Sequence, residues 1–169
     1  MAGQGSTSSG VFLHDREELA QELERLREQR PGLAVVLANG CFDLLHVGHL
    51  RYLEAARREG DLLVVALNDD ASVRANKGAG RPHIPLEERA ELVAGLRAVD
   101  FVTVFPEGTL EATLRILLPA VHAKGTDYSA EGVPEAEVDR ELGIRIAICG
   151  DPKDHSTTEL LERVRRDDA

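Results

Sequence analysis

The stretch Ala34-Val-Val-Leu-Ala-Asn-Gly-Cys-Phe-Asp-Leu-Leu-His-Val-Gly-His49 reads as a buried strand, a glycine turn and a helix opened by two histidines. The continuous apolar run of residues 33–38 has no polar alternation, which is the pattern of a central parallel strand covered on both faces. A parallel strand that feeds a helix brings backbone N–H groups and the positive end of the helix dipole to one spot. His46 and His49 stand three residues apart, so they share a helix face. Gly48 between them removes a side chain and opens the backbone to a bulky group. Imidazoles over a helix N-terminus suit a polyphosphate.

Outward from that stretch, apolar runs alternate with amphipathic ones. Residues 15–29 carry Leu19, Leu23 and Leu26 at helical spacing and stop at Pro31-Gly32. The helix opened by the histidines extends over 46–59 and closes at Gly60, and 61–67 is a second apolar strand. Residues 71–85, with Gly78, Gly80, Pro82 and Pro85, read as a mobile loop. Helix 86–99, strand 101–105, helix 110–118, short strand 120–123, loop 124–128, helix 134–142, strand 144–149 and helix 156–166 complete the order. Strict alternation predicts an α/β fold: a doubly wound, Rossmann-like parallel sheet with right-handed crossovers. Residues 1–12 read as a flexible tail and 13–169 as one domain.

Composition narrows the function classes. A net charge of −10 disfavours nucleic acid, whose binding depends on neutralising phosphates. With 43% apolar and 30% charged residues and no apolar run near the ~20 residues of a span, no membrane association is expected. The N-terminus lacks the basic and apolar regions of a signal peptide, and the two cysteines, Cys41 and Cys149, do not form a disulfide framework; both point to the cytoplasm.

In such sheets ligands bind beyond the carboxyl ends of the strands, and the polar clusters 39–49, 68–70, 124–128 and 151–158 fall there. Neither the dinucleotide fingerprint nor the P-loop is present. His46 and His49 could share a zinc ion with Cys41 or Asp43, but no finger-like spacing accompanies them, so magnesium held through substrate phosphates is the expected metal, with no protein ligand assigned. Ser156-Thr-Thr-Glu159 fits a capping box, which is also an anion site. Lys77 lies among glycines, where solvation is the default. Arg89 sits in the first turn of a helix and opposes its dipole, so it asks for an anion; Glu88 and Glu91 are badly placed, and a substrate phosphate is the expected partner. Asp43 can orient a histidine or a loop amide, and Asp70 can hold the acceptor or the loop. Arg74 and Arg81 read as surface charges, with contact to substrate as the lesser alternative, and His122 as a polar strand residue.

Asn39-Gly-Cys-Phe-Asp43 with His46-Val-Gly-His49 resembles the signature of the cytidylyltransferase-like nucleotidyltransferases, and Ser156-Thr-Thr158 their late phosphate motif. Within that family, Asn68-Asp-Asp-Ala-Ser-Val73, Lys77-Gly-Ala-Gly-Arg-Pro82, Pro85-Leu-Glu-Glu-Arg89 and Lys124-Gly-Thr-Asp-Tyr128 are similar to the adenylyltransferase domain of bifunctional D-glycero-β-D-manno-heptose 1-phosphate enzymes, here expected as a stand-alone transferase. The resemblance implies transfer of AMP from ATP to a sugar 1-phosphate, with pyrophosphate released. It implies catalysis by His46, His49 and Lys77; nucleotide contact at Asn39, Gly40, Cys41, Phe42, Lys124, Gly125, Asp127, Ser156, Thr157 and Thr158; and acceptor contact at Asp43, Asp70, Lys77 and Arg89. It further implies a homo-oligomer, with a dimer favoured. A glycerol-3-phosphate-type cytidylyltransferase and a non-catalytic nucleotide-binding domain are the rival readings; Asp151-Pro-Lys-Asp-His155 departs from the former and intact histidines from the latter. His83-Ile84 also departs from the heptose pattern, on the acceptor side.

Overall fold

The apolar stretch at the centre of the sequence is the centre of the sheet. In the computed structural model, which describes residues 10–151, β2 (Val35–Gly40) pairs in parallel with β3 (Leu62–Asn68) on one side and β5 (Val121–Gly125) on the other. β4 (Phe101–Phe105) continues beyond β3 and ends at β1 (Val11–Phe12), while β6 (Arg145–Cys149) flanks β5. The order β1-β4-β3-β2-β5-β6 is parallel throughout. Strand order reverses between β2 and β5, so the crevice beyond their carboxyl ends is the topological switch point.

Both faces of the sheet are covered. On one, Leu53 and Ala56 of α2 (Val47–Arg57) and Ala90 and Val93 of α4 (Leu86–Ala94) pack with Val36, Ala38, Val65 and Leu67. On the other, Leu19 and Leu23 of α1 (Arg16–Gln29), Leu114 and Leu117 of α5 (Glu111–Leu117) and Val138 of α6 (Ala136–Leu142) pack with Leu37, Val64 and Ala66. Asp15 caps α1 by accepting from the Glu17 N–H at 2.8 Å. Among the described residues no helix is long and apolar enough to cross a membrane.

The structure corrects the reading of residues 71–85 as a loop. Asp70–Lys77 forms a helix, α3, capped by Asp69, whose carboxylate accepts from the Ser72 N–H at 2.7 Å. Its buried residues are only Ser72 and Val73, so it has no apolar stripe for a periodicity search to find. Gly78, at φ 100°, ends it. Of the expected tail, residues 1–9 lie outside the described residues, and Val11 and Phe12 pair with Phe101 and Val102. Helix 86–99 stops at Ala94, and Lys124, read as loop, belongs to β5.

Candidate active site

Gly40 ends β2 and Phe42 turns the chain through a left-handed conformation, φ 47°. A Cβ on Gly40 would stand 2.9 Å from the Phe42 ring, so the turn requires glycine there. The buried Phe42 ring lies 5.1 Å from that of His49, which stacks on His46 at 3.9 Å and 25° between planes. His46 is the N-cap of α2: its Nδ1 accepts from the Gly48 N–H at 3.2 Å. Nδ1 is thereby an acceptor, which puts the proton of the neutral ring on Nε2. His49 Nδ1 is buried and has no hydrogen-bond partner among the described residues. Burial, and secondarily the His46 ring, push the His49 pKa down to about 4, so the ring is neutral at pH 7 in the free protein.

One turn further along α2, the Tyr52 hydroxyl donates to the Ala123 carbonyl of β5 at 2.8 Å. Gly150, at φ 97°, brings the end of β6 against the Tyr52 backbone, where a Cβ would stand 3.3 Å from Tyr52 Cα. The helix that carries the histidines is thus held to β5 and β6 at fixed height above the sheet.

These groups open on a cavity of about 470 Å³, within the range that takes a nucleotide-sized ligand. It is lined by the ends of β2 (Asn39, Gly40), β3 (Asn68), β5 (Lys124, Gly125) and β6 (Cys149), by Cys41, Phe42, Asp43, His46 and His49, by Asp127 and Tyr128, and by Asn76, Lys77 and Arg81 at and after the end of α3. The cavity therefore brings together all the described residues assigned from the sequence except Asp70 and Arg89. Ser156, Thr157 and Thr158 lie outside the described residues.

Arg89, expected to meet a substrate phosphate, does not line the cavity. It is fully buried, and its guanidinium donates to the carbonyls of Ile84 (3.0 Å), Cys41 (2.6 Å) and Asn68 (2.9 Å) and to Asp70 Oδ1 at 2.7 Å. The carboxylate that pairs with it is Asp70, which is thereby engaged on the protein side. Together they brace the turn after β2 from behind. Asp43 is buried as well. Its Oδ1 accepts from the N–H groups of His83 (2.6 Å) and Ile84 (3.0 Å), and its Oδ2 pairs with Arg81 Nε at 3.1 Å. It orients loop amides and ties the segment after α3 to the glycine turn, so it is not offered to an acceptor.

Lys124 lines the cavity with its ammonium already engaged. Nζ lies 3.1 Å from both Asn39 Oδ1 and Glu135 Oε2, and 5.3 Å from the centre of the Tyr128 ring. Burial pushes the Glu135 carboxyl up, but Lys124 and the Leu110 N–H outweigh it and hold the group below the usual carboxylate range. Cys41 Sγ donates to Asn68 Oδ1 at 3.5 Å, and burial raises its pKa, so it is a packing thiol rather than a nucleophile. The sequence missed Tyr52 and Asn76 as lining residues; for Tyr52 the signal was its i+3 spacing from His49.

The family model described as "Cytidylyltransferase-like" matches residues 37–163. The chain belongs to this family. A bifunctional protein HldE from Geobacter sulfurreducens is 47% identical over 137 residues, covering 81% of this chain and 28% of that protein. The HldE of Desulfatibacillum aliphaticivorans is 44% identical over 149 residues, covering 88% of this chain and 30% of that protein. The chain thus spans about 30% of the length of such relatives. Among solved structures, the lipopolysaccharide core biosynthesis protein of Thermoplasma volcanium is 29% identical, with a TM-score of 0.61; the match covers 72% of this chain and 100% of that one.

Proposed function

We propose that this member of the cytidylyltransferase-like family transfers AMP from ATP to a glycero-manno-heptose 1-phosphate, releasing pyrophosphate. The observation that carries the reading is the His46–His49 stack at the N-terminus of α2, inside the cavity at the switch point. The HldE relatives and the lipopolysaccharide core biosynthesis neighbour support a phosphorylated heptose as acceptor.

In the proposed step an oxygen of the sugar phosphate attacks the α-phosphorus in line. The new P–O bond forms as the bond from the α-phosphorus to the α,β-bridging oxygen breaks, and pyrophosphate leaves with that electron pair. The chain's part is to position the groups and to stabilise charge. His46 donates from Nε2, a direction fixed by its cap bond. His49, neutral when the site is empty, gains a proton as the triphosphate arrives, because an adjacent polyanion favours imidazolium. The N-terminus of α2 adds its dipole. Lys77 meets donor and acceptor phosphates from the end of α3. Among the described residues no group of three His, Cys, Asp or Glu is arranged to hold a metal ion. Magnesium, when bound, would enter on the nucleotide phosphates and neutralise their charge.

The test is a pyrophosphate-release panel with ATP, CTP, GTP and UTP against heptose 1-phosphate anomers and glycerol 3-phosphate. ATP with a heptose 1-phosphate is expected to dominate. CTP with glycerol 3-phosphate as the preferred pair would overturn the acceptor and base assignments together.

A further inference from the structure

Arg81 is neither a surface charge nor a closed ion pair. Its side chain is only 18% exposed and lines the cavity beside Lys77 and Asn76. One edge of the guanidinium, Nε, rests 3.1 Å from Asp43 Oδ2. The two terminal amino groups have no hydrogen-bond partner among the described residues. A guanidinium is a fork that binds phosphate oxygens in pairs, and here its stem is fixed while its tines are not. The fixing is thorough. Asp43 is 3% exposed and its other oxygen is committed to the His83 and Ile84 N–H groups, while the Arg81 N–H donates to the Gly78 carbonyl at 3.1 Å.

The position of the fork within the fold indicates which phosphate it would take. Lys77 and Arg81 follow β3, on one side of β2, whereas Lys124 lies at the end of β5 and Asp127 just after it, on the other. The imidazole stack and the α2 N-terminus stand between them at the end of β2. A triphosphate on the histidines leaves Lys77 and Arg81 as the cations on the β3 side. Asp43 by itself would repel an anion there; paired with Arg81 and two amides, it instead aims donors into the cavity.

We propose that Arg81, oriented by Asp43, binds the phosphate of the acceptor sugar, with Asp43 as its positioning residue; this rests on the transferase reading above. The acceptor phosphate then lies between Lys77 and the Arg81 fork, and it is held before and during its attack on the α-phosphorus.

The test is calorimetric titration of heptose 1-phosphate into protein saturated with α,β-methylene-ATP and magnesium, for wild type, Arg81→Lys, Arg81→Gln and Asp43→Asn/Arg81→Gln. Loss of a charge-assisted bidentate contact is expected to weaken acceptor binding about tenfold or more in Arg81→Gln and less in Arg81→Lys, with affinity for the ATP analogue unchanged. The double variant separates contact from mere neutralisation, since it removes the buried carboxylate as well. A persistent defect in it supports the proposal; recovery of wild-type acceptor affinity would show that Arg81 only balances Asp43 and would overturn it. Equal acceptor affinity in wild type and Arg81→Gln, or no acceptor binding by wild type, would also overturn it. Acceptor binding that depends on Arg81 without any pyrophosphate release from ATP would instead refute the transferase reading and leave the Arg81 contact standing. Circular dichroism of each variant verifies the fold.

Discussion

Arg89→Lys separates the brace from a substrate contact. In the folded protein the guanidinium makes four hydrogen bonds, three to carbonyls and one to Asp70, and it is fully buried. A lysine at this place keeps the charge, but its shorter head reaches Asp70 and at most one carbonyl. Two carbonyls then lose a charged donor, at about 1.5–3 kcal/mol each when nothing replaces it. Water entering from the Asp70 side recovers part of this, so a loss of about 2–4 kcal/mol is expected, a large fraction of a typical domain's 5–15 kcal/mol. Arg89→Ala would cost more, because it leaves Asp70 without its cation, and it could fail to fold. The assay is urea unfolding of the Lys variant followed by circular dichroism, with the nucleotide and acceptor KM measured on the same preparation. Wild-type stability together with a large rise in acceptor KM would refute the brace and restore Arg89 to the substrate.

His49 sets a pH dependence. Its pKa of about 4 in the folded state lies below the ordinary value of 6.5, so its contribution to stability is full above pH 6.5 and is lost as pH falls toward 4. A shift of that size is worth about 3 kcal/mol at most, and His49→Phe should flatten the slope of urea stability over that window; an unchanged slope would contradict it. ATP binding to wild type should take up protons near pH 6, read from the buffer dependence of the calorimetric enthalpy, and absence of uptake would remove the imidazolium from the account. Lys124→Met combined with Glu135→Gln should fold with little loss, since the buried pair is removed as a unit and the Leu110 N–H keeps an acceptor, yet should weaken ATP binding by releasing Asn39; unchanged affinity would make the pair structural only. Lys77→Ala should lower kcat far more than ATP affinity, and the reverse split would show that Lys77 merely holds the donor.

The parts of the fold legible in the sequence were those set by local pattern. β4 was readable to the residue because Phe101-Val-Thr-Val-Phe105 is bounded by a turn and a proline, and the switch-point crevice followed from the alternation. α3 was not legible, because the cap at Asp69 and one buried valine sustain it, and glycines and prolines follow immediately. The site was legible where its groups lie in one stretch, as His46 and His49 do. It was not where a side chain's role depends on a partner distant in sequence: Arg89 with Asp70, Lys124 with Glu135, Arg81 with Asp43. His122 is the same case away from the site. A polar residue on a strand, it is fully buried, with Nδ1 2.8 Å from Asp139 Oδ2 of α6.

The measurement closest to the central claim is the rate of pyrophosphate release from ATP and heptose 1-phosphate by wild type and by His49→Ala. His49→Ala removes a donor to charge that grows in the transition state, a loss of about 10²–10³ in kcat for a group of this kind. Turnover by wild type, and a fall of that order in a variant whose circular dichroism matches wild type, is the predicted result. A folded His49→Ala enzyme that turns over at the wild-type rate would contradict the histidine-centred mechanism.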